Sequence, residues 1–455
     1  MGLDRRQFFK ISALTSAVPA VVLATPSAAA PMSMLGIDAV QLGVRAGGTI
    51  DQTVALQNAI DQTAGARVPL VLGPGEYRAG ELKLPTGTQI IGVRGATRLS
   101  FEGGAGLITA RGADHVTLSG LILDGKGKPM PVDHGLLQLS SGADIRIIDC
   151  EIVNSGRHGI VLEEIEGTVS GTIIADTADT AIVSRNARGL NITNNTVRKA
   201  GNGGIMVARA VKGDDGTLVL DNRIENIAAA REGSGQTGSA IFVSNAANVT
   251  VRGNRISHAA HSGVRGMAAS NLQLINNIVN DVGDVALYSE FGFEGAVIAN
   301  NTINGAAIGV AVVNFNEGGR LAVVQGNLIR NLKSKRPNGI AQKDGASAGV
   351  GITVEADAAI TGNVIENAPD TGIKLGWGQF LRDVTVTGNV VRSVGYGITA
   401  SVTSGAGQAV IAGNMVAEAA HGSIVGMDYA EVLPDDLSKN TTRYAQLTIR
   451  GNKVR

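Results

Sequence analysis

Five polar residues in one short stretch of the chain have side chains suited to acid–base chemistry. They are His261, Arg265, Asp284, Tyr288 and Glu290. Imidazole, phenol and carboxylate groups can transfer protons, two carboxylates can serve hydrolysis, and a guanidinium can neutralise the carboxylate of a sugar acid. His261 and Asp284 are 23 residues apart, as are Arg265 and Tyr288. This equal spacing indicates matched positions in a repeat, and we predict that the five residues form a catalytic site.

A second group of polar residues precedes the first. Its members are Asp133, His134, Arg157, His158 and Asp179. They offer similar acid–base chemistry and form the second candidate for a catalytic site. His134 and His158 could also bind a metal ion, although no carboxylate–histidine spacing of a metal motif accompanies them. No cofactor is evident, and a divalent cation such as Ca²⁺ is left open as an alternative.

Three aromatic residues follow the first group in the chain, namely Phe291, Phe315 and Trp377. Aromatic rings beside polar groups can stack on sugars, so we predict a substrate-binding role for these rings, with local packing as the alternative. Lys374 is expected to point outward like Arg265 and Tyr288. We predict that it lies in a distant coil, outside the site.

A repeated motif indicates the secondary structure that positions these residues. The motif is Asn, then any residue, then an aliphatic residue. Its Asn stands at positions 195, 222, 254, 277, 301, 327, 363, 389, 414 and 452. Most successive Asn are 23 to 27 residues apart, and the longer separations are 32, 36 and 38 residues. A second phrase, Gly followed by an aliphatic residue, begins at positions 159, 204, 263, 372 and 397. The Asn column is predicted to be structural, because Asn suits tight bends and can bond to its neighbour one coil away.

Between these phrases, aliphatic residues alternate with polar ones, which is typical of short strands. A single unit cannot bury its apolar side, but units stacked about 4.8 Å apart can. The sequence therefore predicts an all-β fold, a right-handed parallel β-helix of about 12 coils. The two longer insertions, residues 228–238 and 334–348, precede equivalent strands and predict the walls of a cleft around the first group.

Residues 53–64 predict a short capping helix at the start of the solenoid. Leu56, Ala59 and Ile60 have helical spacing, and Asp51 or Thr53 can cap the helix. Such a helix would cover the open strand edge of the first coil.

The composition excludes some classes of function. The chain has 39 basic and 39 acidic residues, so it lacks the positive field that nucleic-acid binding needs. Cys150 is the single cysteine, which excludes an intramolecular disulfide. Because it lies in an apolar run, we expect it to be buried and unreactive.

The first thirty residues are predicted to be an export signal. Arg5 and Arg6 precede an apolar stretch and a run of small residues that ends at Ala30, and this pattern is typical of a twin-arginine signal. The domain organisation expected is a signal at 1–30, a cap and first coils at 31–100, and β-helix repeats at 101–455. The mature protein would be periplasmic or extracellular, with the twin-arginine translocation machinery as a partner and no membrane span.

The cap and the repeat together resemble the start and the coils of the pectate-lyase-like superfamily. With the signal included, the chain also looks like a family of twin-arginine-translocated repeat proteins. The second group resembles the site of polygalacturonase-type enzymes, although their adjacent aspartates are missing here. The resemblance implies the fold, and the chemistry of the polar groups favours a protein that binds or processes an acidic extracellular polysaccharide, as lyase, hydrolase or epimerase. The alternative is a non-catalytic carbohydrate-binding or cell-envelope structural β-helix.

The export signal can be tested directly. Replacing Arg5 and Arg6 by lysine should leave precursor in the cytoplasm, because the arginine pair is read by the translocation receptor. Fractionation and immunoblotting would measure this, and normal export of the double variant would contradict the twin-arginine assignment.

Overall fold

A computed structural model describes residues 35–231, 236–337 and 348–455. The predicted signal, residues 1–30 with Arg5 and Arg6, lies outside these ranges, as do parts of both long insertions. Within them, no helix is long and apolar enough to cross a membrane.

The chain begins its solenoid with a cap. Helix α1, Thr53–Ala66, buries Leu56, Ala59 and Ile60, as their spacing predicts. The Asp51 carboxylate accepts a hydrogen bond from the backbone N–H of Thr53 at 2.8 Å. Short 3-10 helices occupy Ala39–Leu42 and Phe315–Glu317. Helix α1 packs against strands of the first coils, so the predicted capping helix is confirmed.

Each coil contributes strands to three parallel sheets, which we call sheets I, II and III. One coil runs through Thr180–Arg185 in sheet I, Asn191–Thr193 in sheet II and Thr196–Ala200 in sheet III. The chain then returns to sheet I at Gly203–Asp214, which pairs in parallel with Thr180–Arg185. The protein is thus a parallel β-solenoid of about 14 coils, slightly more than the predicted 12.

Sheet I carries both candidate sites. Its strands are Leu82–Lys83, Ile108–Arg111, the first parts of Gly135–Ile148 and His158–Ser170, Thr180–Arg185, Gly203–Asp214, Ser239–Ala247, Val264–Met267, Val285–Glu290, Ile308–Val312, Val350–Val354, and the last parts of Val364–Leu375, Val390–Ser401 and Met415–Asp428. An antiparallel strand, Glu431–Asp436, pairs with the last of these.

Sheets II and III complete the coils. Sheet II comprises Ile37–Asp38, Leu70–Val71, Gln89–Ile91, Thr117–Ser119, the last parts of Gly135–Ile148 and His158–Ser170, Asn191–Thr193, Leu218–Leu220, Thr250–Arg252, Leu272–Ile275, Glu294–Ala299, Arg320–Gln325, Ala356–Thr361, Arg382–Thr387, Ala409–Ala412 and Leu447–Arg450. Sheet III comprises Gly75–Ala79, Thr97–Phe101, Leu121–Asp124, Glu151–Val153, Ile173–Thr177, Thr196–Ala200, Arg223–Ile227, Arg255–Ala259, Ile278–Asn280, Thr302–Asn304, Leu328–Arg330, the first parts of Val364–Leu375, Val390–Ser401 and Met415–Asp428, and Lys453–Val454.

The repeated Asn residues form a buried ladder at the bend between sheets II and III. In each step, one Asn side-chain oxygen accepts hydrogen bonds from the backbone and side-chain nitrogens of the Asn one coil earlier. Asn277, for example, accepts both from Asn254 at 3.0 Å. Its own amide donates to the carbonyl of Val251 at 2.9 Å. The predicted structural role of the Asn column is confirmed.

The tight turn itself falls on the residue before each ladder Asn. Asn194 and Asn276 have φ values of 56°, and Gly253 has a φ of 70°. This left-handed conformation suits Gly and Asn, which explains the Gly-Asn and Asn-Asn pairs of the repeat. The ladder Asn therefore supplies hydrogen bonds, and its predecessor supplies the bend.

The Gly of the second phrase lets neighbouring coils pack closely. A Cβ atom on Gly204 would lie 2.3 Å from the carbonyl oxygen of Ala240 in the next coil. A Cβ on Gly263 would lie 2.5 Å from that of Ala286. Both distances are too short for a side chain, so these positions require Gly.

The core is filled by aliphatic residues stacked along the solenoid axis, with very few rings. Cys150 is buried in this core, and burial raises the pKa of its thiol to about 11. The thiol is therefore protonated at neutral pH, as expected for a packing residue.

Removing one ladder side chain should destabilise the solenoid. In Asn277→Ala, the buried N–H of Asn254 loses its acceptor, and one such unpaired group costs about 1–3 kcal/mol. We expect the free energy of unfolding in urea to fall by at least this amount. Asn316→Ala, at an exposed position, is the control, and equal stability of the two variants would contradict a stabilising ladder.

Candidate functional site

The outward face of sheet I carries a column of side chains that are in register from coil to coil. From one coil to the next, its members are Gln138, Val161, Val183, Met206, Phe242, Arg265, Tyr288, Ala311, Thr353, Lys374, Thr399 and Val425. A second column, two residues further along each strand, pairs Met267 with Glu290. Arg265, Tyr288 and Glu290 therefore lie on one face of adjacent coils.

Arg265, Tyr288 and Glu290 form a compact buried cluster. Arg265 Nε donates to Glu290 Oε1 at 2.5 Å, and the two side chains are only 11% and 3% exposed. The guanidinium carbon lies 5.4 Å from the centre of the Tyr288 ring. Burial, together with the Glu290 carboxylate, strongly raises the pKa of Tyr288. The phenol stays protonated, and Arg265 is committed to Glu290 instead of facing a ligand carboxylate.

His261 and Asp284 lie in adjacent coils just before these strands, but each is tied to a long insertion. The His261 ring nitrogen Nδ1 lies 2.7 Å from the carbonyl oxygen of Thr237, to which it must donate. Arg336 Nε donates to Asp284 Oδ1 at 2.7 Å, and both side chains are buried. The first group therefore separates into the Arg265 cluster and two residues that anchor the insertions.

A pocket of about 140 Å³ opens beside Tyr288. Its apolar lining includes Val285, Ile308 and Val350, which pack together away from the main core. The polar groups that converge on it are Tyr288, Asn314, Arg336, Thr353, Glu355 and Lys374, and Trp377 adds a ring. A concave, partly apolar site with a few converging polar groups is typical of a small-ligand pocket.

Lys374 lines this pocket, so the prediction that it lies outside the site is wrong. It stands three coils from Tyr288, and both long side chains reach the same space. Its Nζ lies 4.7 Å from the centre of the Trp377 ring. Burial lowers the pKa of Lys374, while the Asp370 carboxylate opposes this effect. Among the described residues, no carboxylate forms an ion pair with Lys374.

Glu355 is a pocket residue that the sequence analysis missed. Its carboxylate accepts a hydrogen bond from the backbone N–H of Phe315 at 2.6 Å, and burial raises its pKa. The coil that holds it follows the insertion at 334–348 and was overlooked. Gly351-Ile352 in strand Val350–Val354 matches the Gly–aliphatic phrase and was the signal that could have revealed this coil.

Of the three predicted binding rings, Trp377 alone lines the pocket. The Phe315 ring lies under the Arg382 guanidinium at 4.3 Å and contacts the edge of Phe380. Phe291 is 39% exposed and lies outside the pocket lining. The substrate-binding role predicted for these rings is therefore retained for Trp377.

The second group also separates into parts. His158 and Asp179 are buried, with His158 Nδ1 and Asp179 Oδ1 4.0 Å apart. The imidazole Nε2 lies 4.0 Å from Oδ1 of the exposed Asp133. His134 Nδ1 bonds to the Val132 carbonyl at 3.0 Å, and Arg157 Nε bonds weakly to the Met130 carbonyl at 3.5 Å. His158 therefore lies 4.0 Å from each of the two aspartates, whereas His134 and Arg157 contact the backbone near them.

The described residues contain no group of three or more His, Cys, Asp or Glu side chains placed to hold a metal ion. The Ca²⁺ alternative stays a prediction.

These observations define a right-handed parallel β-helix with a small pocket on the outward face of one sheet. The family described as "Right handed beta helix region" matches residues 98–212 and 210–329, just over half of the chain. The chain belongs to this family, which confirms the predicted fold. Membership of a twin-arginine-translocated family stays a prediction.

Solved structures of similar shape come from several sources. The catalytic unit of a thermostable GH87 α-1,3-glucanase from Streptomyces thermodiastaticus has a TM-score of 0.51 and 16% identity, over 95% of this chain and 70% of that one. The A-module of the mannuronan C-5 epimerase AlgE6 from Azotobacter vinelandii has a TM-score of 0.47 and 14% identity, over 92% and 99%. The N-terminal fragment of bacteriophage phi29 gene product 12 has a TM-score of 0.49 and 15% identity, over 88% and 73%. No curated protein matches the sequence. At such identities, the likeness to the glucanase shows the fold alone.

Because Arg265 is buried with Glu290, its removal should cost much more folding stability than removal of an exposed arginine. Arg265→Met should lower the free energy of unfolding by about 3–5 kcal/mol, because Glu290 would be left as an unpaired buried charge. The double variant Arg265→Met/Glu290→Leu should recover most of this loss. As a control, Arg146→Ala removes an exposed pair with Asp144 and should cost less than about 1 kcal/mol. A small loss in Arg265→Met would show that the pair is solvated.

Proposed function

We propose that this protein binds an acidic extracellular polysaccharide and that one sugar-acid unit enters the pocket between Tyr288 and Trp377. The observation that carries the proposal is the Lys374 ammonium, which lies in a partly apolar pocket without an ion-pair partner among the described residues. A buried cation is costly unless it is paired, and a ligand carboxylate would supply the missing charge.

The other pocket groups suit the remainder of a sugar ring. The Trp377 ring lines the pocket beside Lys374 and adds apolar surface that can contact the C–H groups of a sugar. Thr353 and Asn314 can exchange hydrogen bonds with hydroxyl groups. The volume of about 140 Å³ restricts the pocket to one small unit at a time. We infer that the rest of the polymer lies along the outward face of sheet I.

If the protein is an enzyme, its pocket favours proton abstraction over two-carboxylate hydrolysis. Hydrolysis needs two available carboxyl groups, whereas Asp284 is bonded to Arg336 and Glu290 to Arg265. A lyase and an epimerase both begin by removing the proton next to the sugar-acid carboxylate. Lys374 stays an ammonium that pairs with the sugar-acid carboxylate, so Glu355, whose pKa is raised by burial, is the candidate base, and the protonated Tyr288 is the candidate acid.

Non-catalytic carbohydrate binding is the second candidate function. It is favoured by the commitment of His261, Asp284 and Arg265 to partners within the protein. Export to the periplasm or beyond, through the signal with Arg5 and Arg6, remains part of the proposal.

Lys374→Gln should weaken the binding of acidic oligosaccharides at least about tenfold, or about 1.4 kcal/mol. The probes are trisaccharides of galacturonate, mannuronate and guluronate, measured by calorimetry with the mature protein. Lys199→Gln, which removes an exposed lysine paired with Asp176, is the matched control and should bind as the wild type does. Equal affinity of both variants, or no binding by the wild type, would contradict the proposal.

The same samples distinguish an enzyme from a binding protein. Incubation with the corresponding polymers should yield unsaturated sugar ends for a lyase, or a changed uronate composition by NMR for an epimerase. New reducing ends without unsaturation would identify a hydrolase and contradict the proton-abstraction assignment. Binding without any product identifies the non-catalytic alternative. Loss of activity in EDTA would show a requirement for a divalent cation.

A further inference from the structure

His158 is a buried histidine in which one ring nitrogen has a hydrogen-bond partner among the described residues and the other has none. Its side chain is 6% exposed. Nδ1 accepts a hydrogen bond from the backbone N–H of Thr180 at 3.2 Å, so the proton of the neutral ring is on Nε2. Burial lowers the pKa of His158, which agrees with a neutral ring. Nε2 is buried and has no hydrogen-bond partner among the described residues.

The Nε2–H group lies near Asp133, which in turn lies near Arg185, and both of these charged side chains are accessible to solvent. Asp133 Oδ1 lies 4.0 Å from Nε2, and Arg185 Nη2 lies 3.9 Å from the same oxygen. These distances are too long for direct hydrogen bonds and suit an oxygen atom that bridges the groups. Asp133 has a left-handed backbone conformation, with a φ of 62°.

Asp179, the other carboxylate near His158, is already satisfied. It forms an ion pair with Arg231, and Asn202 Nδ2 donates to its Oδ1 at 3.1 Å. Asp133 and Arg185 are therefore the charged groups that could bind a ligand together with Nε2.

This triad adjoins a large groove between helix α1 and sheet I. The groove has a volume of about 1230 Å³, and His134, next to Asp133 in the chain, forms part of its lining. Glu163, another lining residue, is the register neighbour of Arg185. Carboxylates outnumber cations on its walls, where Asp61, Glu81, Glu163 and Glu164 face Lys83 and Arg111. This excess of negative charge disfavours an acidic polymer.

We infer that His158, Asp133 and Arg185 form a second sugar-binding subsite, which takes the hydroxyl groups of a neutral sugar. A hydroxyl group can accept from His158 Nε2 or from Arg185 while it donates to Asp133, and an anion could not satisfy the carboxylate. The inference rests on the proposed glycan-binding function and adds a subsite of different chemistry on the same face of sheet I.

The two subsites are far enough apart to be tested separately. Arg185 and Glu290 occupy the same outward column, four coil steps apart, which corresponds to about 19 Å at about 4.8 Å per step. A trisaccharide of sugar acids that occupies the Lys374 pocket would therefore not need the His158 subsite.

The test uses calorimetry on the mature protein with neutral hexasaccharides of β-1,4-linked glucose, β-1,4-linked mannose and β-1,3-linked glucose. The wild type should bind at least one of them. Asp133→Asn and Arg185→Gln should each weaken that binding at least tenfold, while Asp176→Asn should not change it. Asp176→Asn is the matched control, because Asp176 is an exposed aspartate on sheet III with a similar left-handed backbone, φ 54°.

The outcomes separate this inference from the proposed function. If no neutral hexasaccharide binds, or if Asp133→Asn behaves like Asp176→Asn, the second subsite is overturned. If acidic trisaccharides still bind under those conditions, the proposed function survives without it. Unchanged thermal unfolding of Asp133→Asn would show that any loss of binding is local. If that variant unfolds at a lower temperature, Arg185→Gln decides, and wild-type affinity in Arg185→Gln overturns the inference.

Discussion

The stacking of Asn side chains at the bend between sheets II and III is the interaction on which the rest of the structure depends. Each ladder Asn bonds to the backbone of a neighbouring coil, as Asn277 does with Asn254, so it fixes the register of both coils. Because side chains in a strand alternate with a period of two, a slip of one residue would exchange the core and surface faces. The outward columns of sheet I therefore rely on a ladder on another side of the solenoid.

The two long insertions are anchored by the same device. Arg231 pairs with Asp179, and Arg336 pairs with Asp284, across the same sequence separation of 52 residues. In both cases, an arginine from the insertion neutralises a buried aspartate just before a strand of sheet I. These aspartates were predicted to be catalytic, but their ion pairs attach the irregular insertions to the regular solenoid.

The charged side chains of sheet I are of two kinds: some are paired with each other in the protein interior, and others lie where a ligand could reach them. Arg265 and Glu290 are almost fully buried together, so their charges cancel within the protein. Lys374 lies in a pocket instead, beside Trp377. The cation proposed to bind a ligand charge is therefore not the expected Arg265 but Lys374, four coils away.

The sequence by itself determined the solenoid, its Asn column, its capping helix and the matched positions of Arg265 and Tyr288. These features follow from a local periodicity that recurs in every repeat. A wrong interpretation of one coil therefore does not affect the interpretation of the others. Only the tertiary structure decided which charges are paired, because pairing depends on side-chain reach across coils and on where the insertions return. Arg336 reaches Asp284 over 52 residues, and Lys374 meets the Tyr288 pocket across three coils. Residue spacing in the sequence does not predict such contacts, because they form only when the chain has wound into stacked coils.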